Sequence, residues 1–269
     1  MRYKMIFSDI DGTLLTSNHA ISQGTKETIR RLQQKGVPFV LVSARMPVGM
    51  IPLQEQLEIN EPLICFSGAL VLGAAGPGGK REVLHNQTLD PKLVKEIYAF
   101  MREQYPNVSF SAYNKDRWFV TSLEDEWVIQ EHEIAGTPPQ LYDFDKDTPN
   151  HINKLLCMGH PEAIASLEHE LKTAYPEITI YQSKSTYLEI MAKGVLKSSA
   201  IDILIKRYGV NKEDIIAFGD NYNDIDMLQY AGLGVAMGNA PDEVKAAADV
   251  VTLSNDEEGL KAILDRSMN

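Results

Sequence analysis

The sequence predicts an α/β fold: a Rossmann-like core on a parallel sheet, interrupted by an inserted α+β domain. Three observations carry this expectation. Short apolar runs alternate with amphipathic helical patterns at both ends of the chain, which is how strand–helix–strand units of a parallel sheet read. The middle of the chain changes style, to short strand-like runs joined by tight turns around two longer helical segments. Several of the apolar runs end in acids or hydroxyls, as strands do where an open parallel sheet presents its carboxyl ends to a ligand.

Taken in order, "YKMIFSDI" reads as a buried strand and "SQGTKETIRRLQQKG" as a helix. Ser22 is placed as its N-cap, Ile29 and Leu32 share its inner face, and Gly36 stops it. "PFVLVSAR" is a second buried strand with a polar tip, "MIPLQEQLEI" a helix, and "PLICFSGALVLG" a third apolar strand. "GAAGPGGK" is a glycine-rich turn leading to the strand-like "REVLHNQTL". A helix around "PKLVKEIYAFMREQY" precedes strands at "VSFSAYN" and "RWFVTS"; a helix at "PEAIASLEHELKTAY" precedes strands at "ITIYQS" and "YLEIMA". The parallel style returns with the helix "KSSAIDILIKRYG", the strand "DIIAFGD", the helix "NDIDMLQYAG", the strand "LGVAMG" and the helix "APDEVKAAA". The expected division is a core of residues 1–83 and 192–269, with residues 84–191 as the inserted α+β domain. Trp118, Trp127, Tyr113 and Phe119 fall in the insert; they are expected to be its core rather than the lining of a pocket.

Composition narrows the classes of function. The 269 residues are 44% hydrophobic, enough to bury a substantial core. The net charge of -11 repels phosphate backbones and anionic lipid, so no nucleic-acid or membrane partner is expected. Cys65 and Cys157 both sit in apolar runs, with no C-x-x-C pair, and read as buried small hydrophobes. The N-terminus enters a strand pattern directly, without the look of a signal peptide. No apolar run approaches the roughly 20 residues that span a bilayer. A cytoplasmic location is expected.

Chemistry gathers at the strand ends. "FSDIDGTLL" places Asp9 and Asp11 at the end of the first core strand. Two acids there repel one another and need a cation or a shared proton. Read alone, they are also a capping acid and a D-G turn. A second strand, "IIAFGDNYNDIDML", ends the same way, with Asp220, Asn221, Asn223 and Asp224. Several carboxylates without His or Cys are hard oxygen donors, which points to Mg²⁺ rather than Zn²⁺. Ser43, with the N–H of Ala44 behind it, and Lys197 at a helix start suit an anionic ligand. Each is equally an ordinary cap or surface residue when taken by itself. "GAAGPGGKR" lacks P-loop spacing, and the six histidines form no pair at i, i+4.

Together and in this order, "DIDGT", Ser43, Lys197 and "GDNYND" resemble the four motifs of the haloacid dehalogenase superfamily of phosphohydrolases. The resemblance covers nearly the whole chain. It is closest to the Cof-type branch (subclass IIB), and to the YidA sugar phosphatases within it, through "LEIMAKGVLK" and "GVAMGNAPDEVKAAADVVT". Two departures lie beside the motifs: Ser67-Gly68-Ala69 where N-G-A is common, and Met191-Ala192-Lys193-Gly194 where M-P-K-G is common. The resemblance implies a Mg²⁺-dependent phosphatase of small phosphorylated metabolites, sugar phosphates first. Asp9 would be nucleophile and metal ligand, and Asp11 the general acid–base, its carbonyl also on the metal. Asp220 would complete the ligands, with Asp224 as a ligand through water or a support. Ser43, the N–H groups of Ala44 and Ile10, Lys197 and Asn223 would hold the phosphoryl oxygens. The insert would be a cap that selects the substrate. A phosphomutase or phosphotransferase on the same scaffold is the alternative. A non-catalytic sugar-phosphate sensor is a further one, disfavoured because a pure binder needs no nucleophile.

Overall fold

The structure, a computed structural model, describes residues 3–268. The chain folds as two compact units. One contains the described residues up to Ala44, Met50–His85, and the chain from Leu196 onward; the other contains Arg45–Gly49 and Asn86–Val195.

The first unit opens with β1 (Met5–Ser8), α1 (Gln23–Gln34), β2 (Phe39–Val42), α2 (Ile51–Leu57), β3 (Leu63–Cys65), β4 (Leu70–Ala75) and β5 (Arg81–Asn86). After the second unit it resumes with α6 (Lys197–Tyr208), β12 (Ile215–Gly219), α7 (Ile225–Tyr230), β13 (Leu233–Ala236), α8 (Asp242–Ala247), β14 (Val250–Val251) and α9 (Gly259–Met268). Its eight-stranded sheet runs β14-β13-β12-β1-β2-β3-β4-β5. From β14 to β3 every pairing is parallel. β1 is central and buried throughout, as strands covered on both faces are. Met5 and Phe7 point into a core with Ile201, Leu204 and Ile205 of α6 and Met227 and Leu228 of α7. Ser22 caps α1 by accepting the N–H of Thr25 at 3.1 Å, and Gly36 follows the helix at a φ of +70°.

One expected strand proves to be two. "PLICFSGALVLG" breaks at Phe66–Gly68, and β3 and β4 pair antiparallel, with Ile64 opposite Val71. Phe66, Ser67 and Gly68 have φ of 49°, 52° and 109°, three left-handed residues in a row, and that reverses the chain. The apolar run hid the turn, because a buried hairpin is apolar on both arms.

The second unit holds α3 (Pro91–Gln104), β6 (Ser109–Asn114), β7 (Arg117–Val120), α4 (Glu126–Ala135), β8 (Gln140–Leu141), β9 (Lys154–Met158), α5 (Pro161–Ala174), β10 (Thr179–Lys184) and β11 (Tyr187–Met191). Its six-stranded sheet, β10-β11-β9-β6-β7-β8, is antiparallel except for β7–β8. One face packs on α3 and α5 through Phe110, Phe119, Leu155, Leu188 and Ile190. Trp118 is buried and stacks on Tyr113 at 5.8 Å, Phe119 is core, and Trp127 is half-buried. The boundary expected at 83/84 falls mid-way along β5, and the units part at the strand's last residue, between His85 and Asn86. The one expected at 191/192 moves to Val195/Leu196. The turn after β11 stays with its own sheet, where Gln87 donates to the carbonyl of Lys193 at 2.6 Å. Residues 1, 2 and 269 of the expected core lie outside the described residues.

Candidate active site

The register of the first sheet gathers the expected residues. Ser8 of β1 pairs with Leu41 of β2 on one side and Phe218 of β12 on the other. Two residues further along each strand stand Ile10, Ser43 and Asp220, so these three leave the sheet level with one another. Asp9 sits just below, its N–H donated to the Phe218 carbonyl at 3.0 Å. Asp9 and Ser43 are buried; Asp11 is exposed. Ser43 belongs to the frame as well: its N–H donates to the carbonyl of Ile64 and its own carbonyl accepts the N–H of Ser67, both at 2.9 Å.

The chain turns sharply after Asp11. Gly12 adopts φ +81°, and a Cβ there would lie 2.3 Å from Oδ2 of Asp220. Only glycine meets both demands. Thr13 then donates its hydroxyl to Oδ1 of Asp220 at 2.7 Å, locking the two motif strands together.

Lys197 is the hub. It is 1% exposed, and its Nζ lies 2.6 Å from Oδ1 of Asp9 and 2.5 Å from Oδ1 of Asp224. The other oxygen of Asp224 accepts the N–H groups of Asp220 and Asn221, each at 2.9 Å. Asp224 thereby fixes the backbone of one acid and the ammonium that serves another. α6 delivers Lys197 at its first residue. Its start is capped from α7: Asp226 accepts the N–H of Ser198 at 2.7 Å. Gly68 lets the Phe66–Gly68 turn press against it, since a Cβ would meet the Leu196 carbonyl at 2.4 Å.

Asp9, Asp220 and Asp224 each offer a carboxylate oxygen within 4.8 Å of the others. One lysine does not balance three acids. Burial pushes the Asp9 carboxyl well above the usual range; Lys197 opposes this, while Asp224, Asp220 and Asp11 add to it. Asp220 is raised to about 7, by burial and then by Asp224, against the hydroxyl of Thr13 and the charge of Lys197. Burial works to lower Lys197, but Asp224 and Asp9 outweigh it and hold the ammonium charged far above the ordinary lysine value. A buried excess of hard oxygen donors, with raised proton affinity and no nitrogen or sulfur among them, fits a divalent cation such as Mg²⁺.

Of the residues expected from the sequence, Asp9, Asp220, Asp224 and Lys197 form this tight group. Asp11, Ile10, Ser43, Ala44 and Asn223 stand on the turns around it, and the Asp11 carboxylate is outside the cluster of three. Thr13, Asp226 and Asn239 join the site as well. Thr13 lies inside "DIDGT". Asp226 and Asn239 carry no local sequence signal, because their partners lie 28 and 227 residues away.

The profile of the haloacid dehalogenase-like hydrolase family matches residues 6–264. A Haemophilus influenzae protein named "Putative phosphatase" is 42% identical over 98% of both chains. The Bacillus subtilis 5-amino-6-(5-phospho-D-ribitylamino)uracil phosphatase YitU is 28% identical over 97% of this chain and 96% of its own. Among solved structures, a haloacid dehalogenase-like hydrolase from Bacteroides thetaiotaomicron superposes with a TM-score of 0.87 at 30% identity, covering 98% of this chain and 99% of its own. A subclass IIB sugar phosphatase of the superfamily gives a TM-score of 0.85 at 27% identity, with coverage of 98% and 99%. Among the described residues, no helix is long and apolar enough to cross a membrane.

Proposed function

The chain belongs to the haloacid dehalogenase-like hydrolases, and on that footing we propose that it is a Mg²⁺-dependent phosphatase of small phosphorylated metabolites, sugar phosphates foremost, working through a phosphorylated Asp9. The observation that carries this is the state of Asp9: a buried carboxylate at a strand's end, held by one ammonium and crowded by two further acids. Buried carboxylates crowded by further acids in this way gather at functional sites.

In this reading an Asp9 oxygen attacks phosphorus, and the bond to the leaving oxygen breaks in line. Asp11 gives that oxygen a proton. It then takes a proton from the water that attacks the phosphorylated Asp9, and inorganic phosphate departs. Asp9, Asp220 and the carbonyl of Asp11 would hold Mg²⁺, with Asp224 behind them; the ion, when bound, offsets the negative charge that opposes attack of one anion on another. Lys197, Ser43, Asn223 and the N–H groups of Ile10 and Ala44 hold the phosphoryl oxygens. An acid at position 11 suits a poor leaving group such as a sugar alkoxide. The second unit is assigned the selection of substrate. The names of two relatives agree with this class, one acting on a phosphoribityl compound and the other on sugar phosphates.

The test is phosphate release from a panel of phosphorylated metabolites, with Mg²⁺ and with excess chelator. Turnover of small esters that the chelator abolishes, and that Asp9→Asn removes, is the expected result. Full activity in chelator overturns the metal, and preference for a phosphoprotein over every small ester overturns the substrate class.

A further inference from the structure

Gly12 solves one problem for the catalytic turn and creates another. It admits the left-handed backbone and the close approach of Asp220, but glycine leaves the chain beside Asp11 with more conformational freedom than any other residue would. Asp9 does not depend on that turn, being buried and held by its strand and Lys197. Asp11 is exposed, and the backbone on either side of it sets the point from which its side chain reaches out.

The turn is secured on its inner side by its own bonds. Leu14 and Leu15 both donate to the carbonyl of Ile10, at 3.1 and 2.9 Å, and Thr13 holds Asp220. Its outward carbonyls are held by two asparagines from the far end of the chain. Asn239 Nδ2 donates to the carbonyl of Gly12 at 2.9 Å, and Asn255 Nδ2 donates to the carbonyl of Leu15 at 2.8 Å. The two are joined, because the N–H of Asn255 donates to Oδ1 of Asn239 at 3.0 Å. Asp256 adds a third tie, accepting the N–H of Ser17 at 2.8 Å. The orientation of the Asn239 amide is forced. A backbone N–H only donates and a carbonyl only accepts, so Oδ1 must face Asn255 and Nδ2 must face Gly12.

We propose that Asn239, backed by Asn255, is a positioning residue for Asp11: by pinning the Gly12 carbonyl it removes the freedom that glycine brings, and so fixes the backbone from which Asp11 moves its proton. The proposal rests on the acid–base role of Asp11 given above. Losing the tie slows proton transfer to a poor leaving group. It leaves attack by Asp9 on an ester with a good leaving group nearly untouched.

The experiment compares Asn239→Asp, Asn239→Ala and Asn255→Ala with wild type and Asp11→Asn, in Mg²⁺. Single-turnover rates are read with an alkyl phosphate and burst rates with p-nitrophenyl phosphate. Asn239→Asp keeps size and the bond from Asn255 but turns an oxygen toward the Gly12 carbonyl; Asn239→Ala removes the donor without adding charge. Both should slow the alkyl ester by about tenfold, the worth of one hydrogen bond acting on the general acid, and the aryl burst by less than about threefold. Asn255→Ala should do the same more weakly. Hydrogen exchange of the Gly12–Leu15 amides, measured in metal-free protein, should quicken in both Asn239 variants. Equal slowing of the two esters, unchanged rates, or unchanged exchange overturns the proposal while the role of Asp11 stands. If Asp11→Asn itself fails to separate the two esters, the acid–base reading falls and takes this proposal with it.

Discussion

Replacing Lys197 by methionine isolates the charge balance of the site. The side chain is of similar length, so the perturbation is mainly the loss of one buried positive charge. The three carboxylate oxygens lie within 4.8 Å of one another. At an effective dielectric constant of about 20, each pair of charges inside that separation repels by at least about 3.5 kcal/mol. Lysine Nζ at 2.6 and 2.5 Å from its two partners returns about 6 kcal/mol from each. The two attractions are of the same size as the smallest possible sum of the three repulsions, so one lysine leaves the acids without a surplus of compensation. Without the lysine only the Thr13 hydroxyl on Asp220 and the two backbone N–H groups on Asp224 offset the repulsion, and the acids persist chiefly by taking up protons.

In chelator at pH 7, Lys197→Met should be less stable than wild type by about 3–5 kcal/mol, the usual result of breaking a buried pair. Lowering the pH to 5 should restore much of that, since protons then replace the ammonium. Mg²⁺ should stabilise the variant more than it stabilises wild type, because the ion meets more uncompensated charge. The assay is thermal unfolding followed by circular dichroism, in chelator and in Mg²⁺, at pH 5, 6 and 7. Phosphate release should fall by about 10² or more in the same variant, from loss of a phosphoryl contact in a water-poor site. A variant as stable as wild type in chelator at pH 7, with the same pH slope, would refute the charge argument.

The metal-free wild type should itself respond to pH through Asp220. Its carboxyl is raised from 3.8 to about 7, so the stability it contributes is complete below about pH 4 and is lost as the pH climbs to about 7. Unfolding midpoints in chelator should fall over that window, while midpoints in Mg²⁺ change less; the opposite slope counts against the assignment. Gly12→Ala should displace Asp220, because the new Cβ would sit 2.3 Å from its Oδ2. The Mg²⁺ concentration for half-maximal activity should rise at least about tenfold, on top of about 1–2 kcal/mol of backbone strain. In the second unit Lys154 and Glu189 pair at 3.3 Å and both are buried. Lys154→Met should cost about 3–5 kcal/mol in that unit's unfolding, and replacing Glu189 by leucine as well should recover most of it.

What the sequence made legible follows from what each element depends on. α1 could be read because its cap, apolar face and stop are all local: Ser22, Ile29, Leu32 and Gly36 lie within one stretch. β9 could not. Lys154–Met158 is buried throughout, so it shows no alternation and its apolar run fits strand or helix alike. α4 is hidden for the converse reason: Ile129 and Ile134 are exposed, which blurs the apolar stripe that marks a helix. The acids of the site were visible because motif residues cluster at two strand ends. The asparagines that bond the Gly12 and Leu15 carbonyls were not, since Asn239 reaches Gly12 across 227 positions. No periodicity joins residues so far apart; the parallel sheet brings them together.

Asp224 shows why spacing alone leaves a role undecided. An acid four residues after Asp220, on the turn that follows the same strand, is placed to share a cation with it. The structure gives it other work. Both of its oxygens already accept hydrogen bonds, one from two backbone N–H groups and one from Lys197, and its side chain is fully buried. A carboxylate so engaged keeps about one of its four lone-pair sites for a cation or for a water bound to one. What it supplies is placement: the backbone of Asp220 cannot shift, and the lysine cannot swing from Asp9, without breaking a charge-assisted bond to Asp224. An asparagine in its place would turn an amide N–H toward either a donor N–H or the ammonium, so the charge matters as much as the shape. Asp224 therefore belongs to the electrostatics of the site through the two groups it holds, and it acts on both at once.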